Sequence, residues 1–162
     1  MGDTKLKRAE NFLVSAYWNL LKFNSDENEK GGSGNSGNED ALVTKQEIET
    51  YTADLHKTFG RLFLAQYASD PHNPNAKKTL DQASDELTKG IYKECKEFGP
   101  ESYHVCSSYF YLGELFRAYG NTSNARAFYQ KIIQIWRKFI LENDFEHHMQ
   151  DFQYSIIDDI YY

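Results

Sequence analysis

Apolar residues recur at steps of three and four in six stretches of this chain, and none of them alternates as a strand would. Phe12, Leu13, Ala16, Tyr17, Leu20 and Leu21 mark an amphipathic helix over 5–23. The run NSDENEKGGSGNSGNED then breaks all periodicity. Its Gly, Ser and Asn residues bury little apolar surface, so 24–43 is expected to be a flexible tether. Periodicity returns near Thr44 with Ile48, Tyr51, Leu55, Phe59, Leu62 and Phe63, until Pro71 and Pro74 force a break. Ala76, Leu80, Ala83, Leu87, Ile91, Cys95 and Phe98 form the next stripe, which Gly99-Pro100 stops. Val105, Tyr109, Leu112, Phe116 and Tyr119 follow. After the turn at Gly120-Asn121 come Ala125, Phe128, Tyr129, Ile132, Ile135, Trp136 and Phe139. A last stripe is Phe145, Met149, Phe152, Ile156 and Ile160, with Asn143 a candidate N-cap. The fold class is all-α. Its expected parts are a helix at 5–23, helix pairs at 44–98 and 101–141, and an acidic amphipathic helix at 143–162.

Gly60 and Gly113 each stand inside a helical pattern, where a glycine costs about 1 kcal/mol relative to alanine. Their surroundings repeat: Phe59-Gly60-x2-Phe63 matches Leu112-Gly113-x2-Phe116. Three of the stripes share a second spacing, Ala9-x3-Leu13-x2-Ala16, Ala76-x3-Leu80-x2-Ala83 and Ala125-x3-Tyr129-x2-Ile132. With Tyr109 and Gly120 in register, the combination resembles the tetratricopeptide repeat, a helix pair of about 34 residues. The resemblance implies antiparallel helix pairs stacked in a short right-handed solenoid. In it Gly113 and Ala125 would lie where two helices cross closely, and Gly120 would end the first helix of its pair. Ile132 departs from the pattern, where a small residue is usual. Gly60 to Ala76 is four residues longer than Gly113 to Ala125, a difference the DPHNPN turn can absorb. The helix at Ala9 reads as the second half of a repeat without its first.

The order of the blocks RAENFLVSAYWNLLK, LHKTFGRLFLA, KECKEFGPES, YFYLGELFRAYG and IIQIWRKFI, from about Arg8 to Phe145, also resembles the repeat region of the zinc finger MYND domain-containing proteins. That resemblance implies a factor of the ciliary axoneme, working with another tetratricopeptide protein and with inner-arm dynein. A MYND finger needs clustered Cys and His ligands, which Cys95 and Cys106 alone do not supply. Either the chain is a short relative without the finger, or the likeness reaches only the generic repeat.

Charge narrows the partners. The net charge of −6 resides wholly in Glu142, Asp144, Glu146, Asp151, Asp158 and Asp159, in a segment without Lys or Arg; the remainder is balanced. Phosphate binding needs clustered bases, so nucleic acid is not an expected partner. No apolar run spans a bilayer, the N-terminus lacks a signal-peptide core, and the expectation is a soluble intracellular protein. Cys95 reads as a small core residue, and Cys106 near a helix start as a thiol open to acidification. His147 and Asp151 share a helical face but lack a third ligand, so no metal or other cofactor is expected. No phosphate-cradling Gly loop or nucleophile–base pair is apparent, and no enzyme is expected. Carboxylate-clamping versions of the repeat hold peptides with Lys and Asn. Here Lys57 fits, whereas Arg61 and Tyr111 stand where Asn belongs. The resulting expectation is a non-enzymatic axonemal scaffold, with a cytosolic peptide-binding adaptor as the alternative. Its partner contacts would come from Phe12 and Leu20 of the first helix and from Phe145, Met149, Phe152 and Ile156 of the last, unless the last helix caps the array.

Overall fold

In the computed structural model of the chain, residues 2–30 and 44–142 are described, and among them the structure is helical throughout, without strands. Helix α1 runs Gly2–Lys30, α2 Lys45–Ser69, α3 Ala76–Phe98, α4 Cys106–Ala118 and α5 Thr122–Glu142, with a 3-10 turn at Tyr103–Val105 before α4. The last helix expected from sequence, 143–162, lies outside the described residues, and so do Phe145, Met149, Phe152 and Ile156.

Helix α1 extends further than periodicity indicated: residues 24–30 continue it instead of opening the tether. Ser25-Asp26-Glu27-Asn28-Glu29-Lys30 holds no Gly or Pro, and Glu and Lys are good helix formers. The breaker glycines start only at Gly31. Apolar spacing is blind to a helical segment that carries no apolar residue.

Local chemistry fixes the other boundaries. Thr44 caps α2 through a reciprocal box: its Oγ1 accepts from the Glu47 N–H at 3.2 Å, and its own N–H donates to the Glu47 carboxylate at 2.7 Å. Gly120 ends α4 with φ +77°, a backbone region that disfavours other residues. Its N–H donates to the Arg117 carbonyl at 3.0 Å, and the Asn121 N–H donates to the Phe116 carbonyl at 2.8 Å, the two bonds of a Schellman turn. Asn121 then caps α5 by accepting from the Asn124 N–H at 3.1 Å.

Helices α2 and α3 pack as one antiparallel pair and α4 and α5 as another; α1 lies on α2, α3 on α4, and α2 also touches α4. The principal core joins the pairs through Leu80, Ala83, Leu87, Leu112 and Leu115, with Phe63, Ile91, Tyr109 and Phe128 around it. A second cluster, Val105, Cys106 and Ile135, closes the far end.

The glycines expected at close crossings are buried, but the residues across from them differ from those the sequence spacing paired. A Cβ on Gly113 would come within 2.5 Å of the Tyr129 ring, whereas Ala125 is buried a turn away. A Cβ on Gly60 would lie 2.6 Å from Leu87 Cδ2, so Leu87, not Leu80, sits over this glycine. The run Ala83-x3-Leu87-x2-Gly90 therefore occupies in α3 the place that Ala125-x3-Tyr129-x2-Ile132 occupies in α5. Spacing alone placed the pattern at Ala76, seven residues early. Seven residues are about two helical turns, so both registers put the same face inward. The longer separation from Gly60 arises because, between the close approach and the connection, α2 and α3 each run about one turn further than α4 and α5 do, and the connection itself is longer. Gly90 is a third close approach: a Cβ there would lie 3.1 Å from the Ala53 carbonyl oxygen and 3.1 Å from the Lys57 nitrogen, both backbone atoms of α2.

Candidate interaction surfaces

A buried polar cluster fixes the relative placement of three helices. The Glu94 carboxylate of α3, 5% exposed, accepts from Lys57 Nζ of α2 at 2.9 Å and from Ser108 Oγ of α4 at 2.5 Å. Lys57 also reaches Asp54 at 2.9 Å. Burial by itself would lower the Lys57 pKa; the Glu94 and Asp54 carboxylates outweigh it and hold the ammonium above its ordinary value. Nearby, His56 Nδ1 lies 2.7 Å from Glu86, which also binds Lys89 at 2.8 Å. The His56 contact, helped by Lys89 and opposed by burial, holds the Glu86 carboxyl below its usual range. No buried side-chain polar atom among the described residues lacks a hydrogen-bond partner.

The side of α2 and α4 that carries Lys57 and Arg61 is also internally paired. Arg61 stacks on Tyr111 at 4.8 Å from the ring centroid, and Tyr129 donates its hydroxyl to Glu114 at 2.6 Å. Arg117 forks onto the same carboxylate, and chiefly through that bond holds the Glu114 pKa below its ordinary value. Lys57, the one residue that fitted a carboxylate clamp, is thus committed within the protein.

The two cysteines are free thiols in apolar surroundings. Burial pushes the Cys106 pKa up to about 11, the reverse of the acidification that its position near a helix start raised as an expectation, because desolvation disfavours the thiolate. Cys95 Sγ lies 3.9 Å from the Tyr109 hydroxyl. Among the described residues, no three His, Cys, Asp or Glu side chains cluster as metal ligands; His147 and Asp151 lie outside them.

Among the described residues, α1 and α5 each carry exposed apolar side chains. On α1 the half-buried stripe is Leu6, Glu10, Leu13, Tyr17 and Leu20. Tyr17 packs its ring 5.8 Å from His56 and 6.4 Å from Phe59, and Glu10 accepts from Gln66 at 3.1 Å, so this stripe faces α2. The face expected to bind a partner is therefore split. Leu13 and Leu20 turn toward α2, whereas Phe12, rotated by about 100° from Leu13, is 72% exposed, with Ala9, Ala16 and Phe23 exposed beside it. Trp18 and Val14 are exposed on the opposite flank. On α5, Ile133 is 65% exposed and Ile140 is exposed a further two turns along.

The remaining residues implied by the repeat pattern fall inside the helix pairs: Leu80, Ala83, Leu112 and Ala125 are buried, and Phe59, Phe63, Ala76, Tyr109, Phe116 and Tyr129 half-buried. Sequence reading missed Glu94, Ser108 and Gly90. Gly90 alone left a sequence signal, at the same x3-x2 distance from Ala83 as Ile132 from Ala125. No helix among the described residues is long and apolar enough to cross a membrane. No family model, no curated protein and no solved structure matches the chain.

Proposed function

We propose that this chain is a non-enzymatic interaction scaffold built from tetratricopeptide-like helix pairs, and that α1 carries the surface its partner occupies. The repeat reading draws support from neighbour relations. Each helix packs on the next, and α2 touches α4, as the first helices of successive repeats do. It draws further support from the matched packing of Leu87 over Gly60 and Tyr129 over Gly113. The observation that carries the functional reading is the open face of α1. Ala9-x3-Leu13-x2-Ala16 repeats the spacing of Ala83-x3-Leu87-x2-Gly90, the face of α3 that receives α2 at close approach. In α1, Ala9, Phe12 and Ala16 of that face are exposed. Small residues next to a large exposed aromatic ring suit a helix docked from outside.

The placement in a ciliary axoneme, beside inner-arm dynein and a second tetratricopeptide protein, rests on the sequence blocks from Arg8 to Phe145. Fractionation of a ciliated cell carrying the tagged chain tests it. The expected result is retention in the axoneme through detergent extraction, release at high salt, and cross-links from Lys5 or Lys22 to a dynein-arm or tetratricopeptide subunit. Phe12→Asp should leave the fold intact and abolish retention. Loss of the unaltered chain into the detergent wash would overturn the axonemal placement in favour of a cytosolic adaptor.

A further inference from the structure

We infer that acid releases α1 from α2 through His56: protonation of this buried histidine loosens the docking of α1 and leaves α2 to α5 assembled. His56 of α2 is 8% exposed. Its Nδ1 lies 2.7 Å from the Glu86 carboxylate of α3, and the Tyr17 ring of α1 packs against it, 5.8 Å between centroids. An ionised carboxylate only accepts, so Nδ1 carries the proton of the neutral ring and donates it to Glu86. Glu86 stays ionised where histidines ordinarily titrate, because the His56 contact, with Lys89 and against burial, holds its carboxyl below the usual range. A second proton therefore goes to Nε2. That nitrogen has no hydrogen-bond acceptor among the described residues.

The new charge is met differently with α1 docked and with α1 away. Glu86 belongs to α3 and stays beside the ring in both states. Tyr17 belongs to α1, and its ring takes the place of water. With α1 docked, the imidazolium N–H at Nε2 lacks an acceptor in a nearly closed site; with α1 away, water supplies one. Leaving a charged donor unsatisfied costs more than a tilted aromatic ring returns to a cation, so desolvation decides the direction. A group that binds its proton less tightly docked than released favours docking above its titration, and that contribution is lost as pH falls through it. The other charges nearby do not reverse this. Lys89 is bound to Glu86 and repels the imidazolium in either state. In the cleft that His56 also lines, Lys93 pairs with Glu49 and Glu94 with Lys57. On α1, Glu10 meets α2 at Gln66, well beyond His56 along the helix. Because the half-buried apolar stripe of α1 is narrow, a penalty at Tyr17 weighs on the whole helix.

Amide exchange on the full chain, corrected for the intrinsic rate, tests this at about pH 7.5 and about pH 5.5. The expected result is that the locally opened form of α1 is about fivefold or more populated at the lower pH, while α3 and α4 remain protected. His56→Gln, uncharged at both, should remove the pH dependence, with protection of α3 and α4 reporting that the variant folds. The reciprocal measurement leaves His56 in place. Tyr17→Ala, which frees α1, should raise the pH at which the His56 ring titrates by nuclear magnetic resonance. Exchange of α1 that does not change with pH would overturn the inference. So would an α1 held more tightly in acid, which would give the direction to the Tyr17 ring. Dependence that survives His56→Gln, or a His56 titration that Tyr17→Ala leaves in place or lowers, would equally refute it by placing the effect on another group.

Discussion

At the scale of single residues, the glycines and the buried carboxylate carry most of the specificity of this packing. Gly60 lies against Leu87, which is 1% exposed and fixed in the core, so an added methyl has nowhere to displace it. Gly113 lies against the Tyr129 ring, which is half-buried and has room to shift. Alanine gains about 1 kcal/mol of helix propensity at either site, while overpacking a filled core costs about 1–3 kcal/mol. Gly60→Ala is therefore expected to destabilise by up to about 2 kcal/mol, and Gly113→Ala by less; urea unfolding of both variants checks the order. For Glu94, Glu94→Leu alone leaves the Lys57 ammonium with only the exposed Asp54 carboxylate and the buried Ser108 hydroxyl without its acceptor, and should cost about 1–3 kcal/mol. Replacing the whole cluster, Lys57→Met with Glu94→Leu and Ser108→Ala, should recover most of that loss, because no unpaired polar group remains. A triple variant as unstable as Glu94→Leu would show that the cluster contributes through something other than mutual compensation.

At the scale of elements, helix boundaries depend on a few capping groups. Asn121 has two tasks in one turn: its N–H closes the end of α4, and its side chain caps α5. Asn121→Ala keeps the first and loses the second, an expected cost of about 1 kcal/mol, whereas Asn121→Asp should remain near wild type. Thermal melts of the two variants separate these outcomes. The helices themselves were legible in the sequence because each described one carries an apolar stripe of the right period, and their ends because Gly, Pro and Asn stand at the turns. Three features were not. The last turns of α1 contain no apolar residue, so periodicity had nothing to count. The register of α3 against Gly60 was ambiguous, because Ala76-Leu80-Ala83 and Ala83-Leu87-Gly90 repeat one spacing two turns apart. Glu94 looked like any acid on a charged helix; only tertiary packing brings Lys57 and Ser108 to it.

At the scale of the whole molecule, the helices form a succession in which each is held mainly by its neighbours, and among the described residues α1 packs chiefly on α2. Its half-buried apolar stripe is narrow, Leu6, Leu13, Tyr17 and Leu20, and none of its described residues belongs to either buried cluster. Helices α2, α3 and α4, by contrast, share the Lys57–Glu94–Ser108 contacts, and α3, α4 and α5 meet around Val105, Cys106 and Ile135. Stability should therefore be unequal along the array: α1 detaches without disturbing the rest, while α2 to α5 open together. Amide exchange measured as a function of urea tests this. The α1 amides should exchange through a local opening with little urea dependence, and those of α3 and α4 only through global unfolding. Tyr17→Ala, which removes the ring between His56 and Phe59, should release α1 further and leave the midpoint of the main transition in place. A shift of that midpoint would mean that α1 is integral to the cooperative unit. A weakly held α1 also bears on partner binding. A partner helix seated on Ala9, Phe12 and Ala16 would hold α1 from its second side, so binding should slow α1 exchange more than that of any other helix.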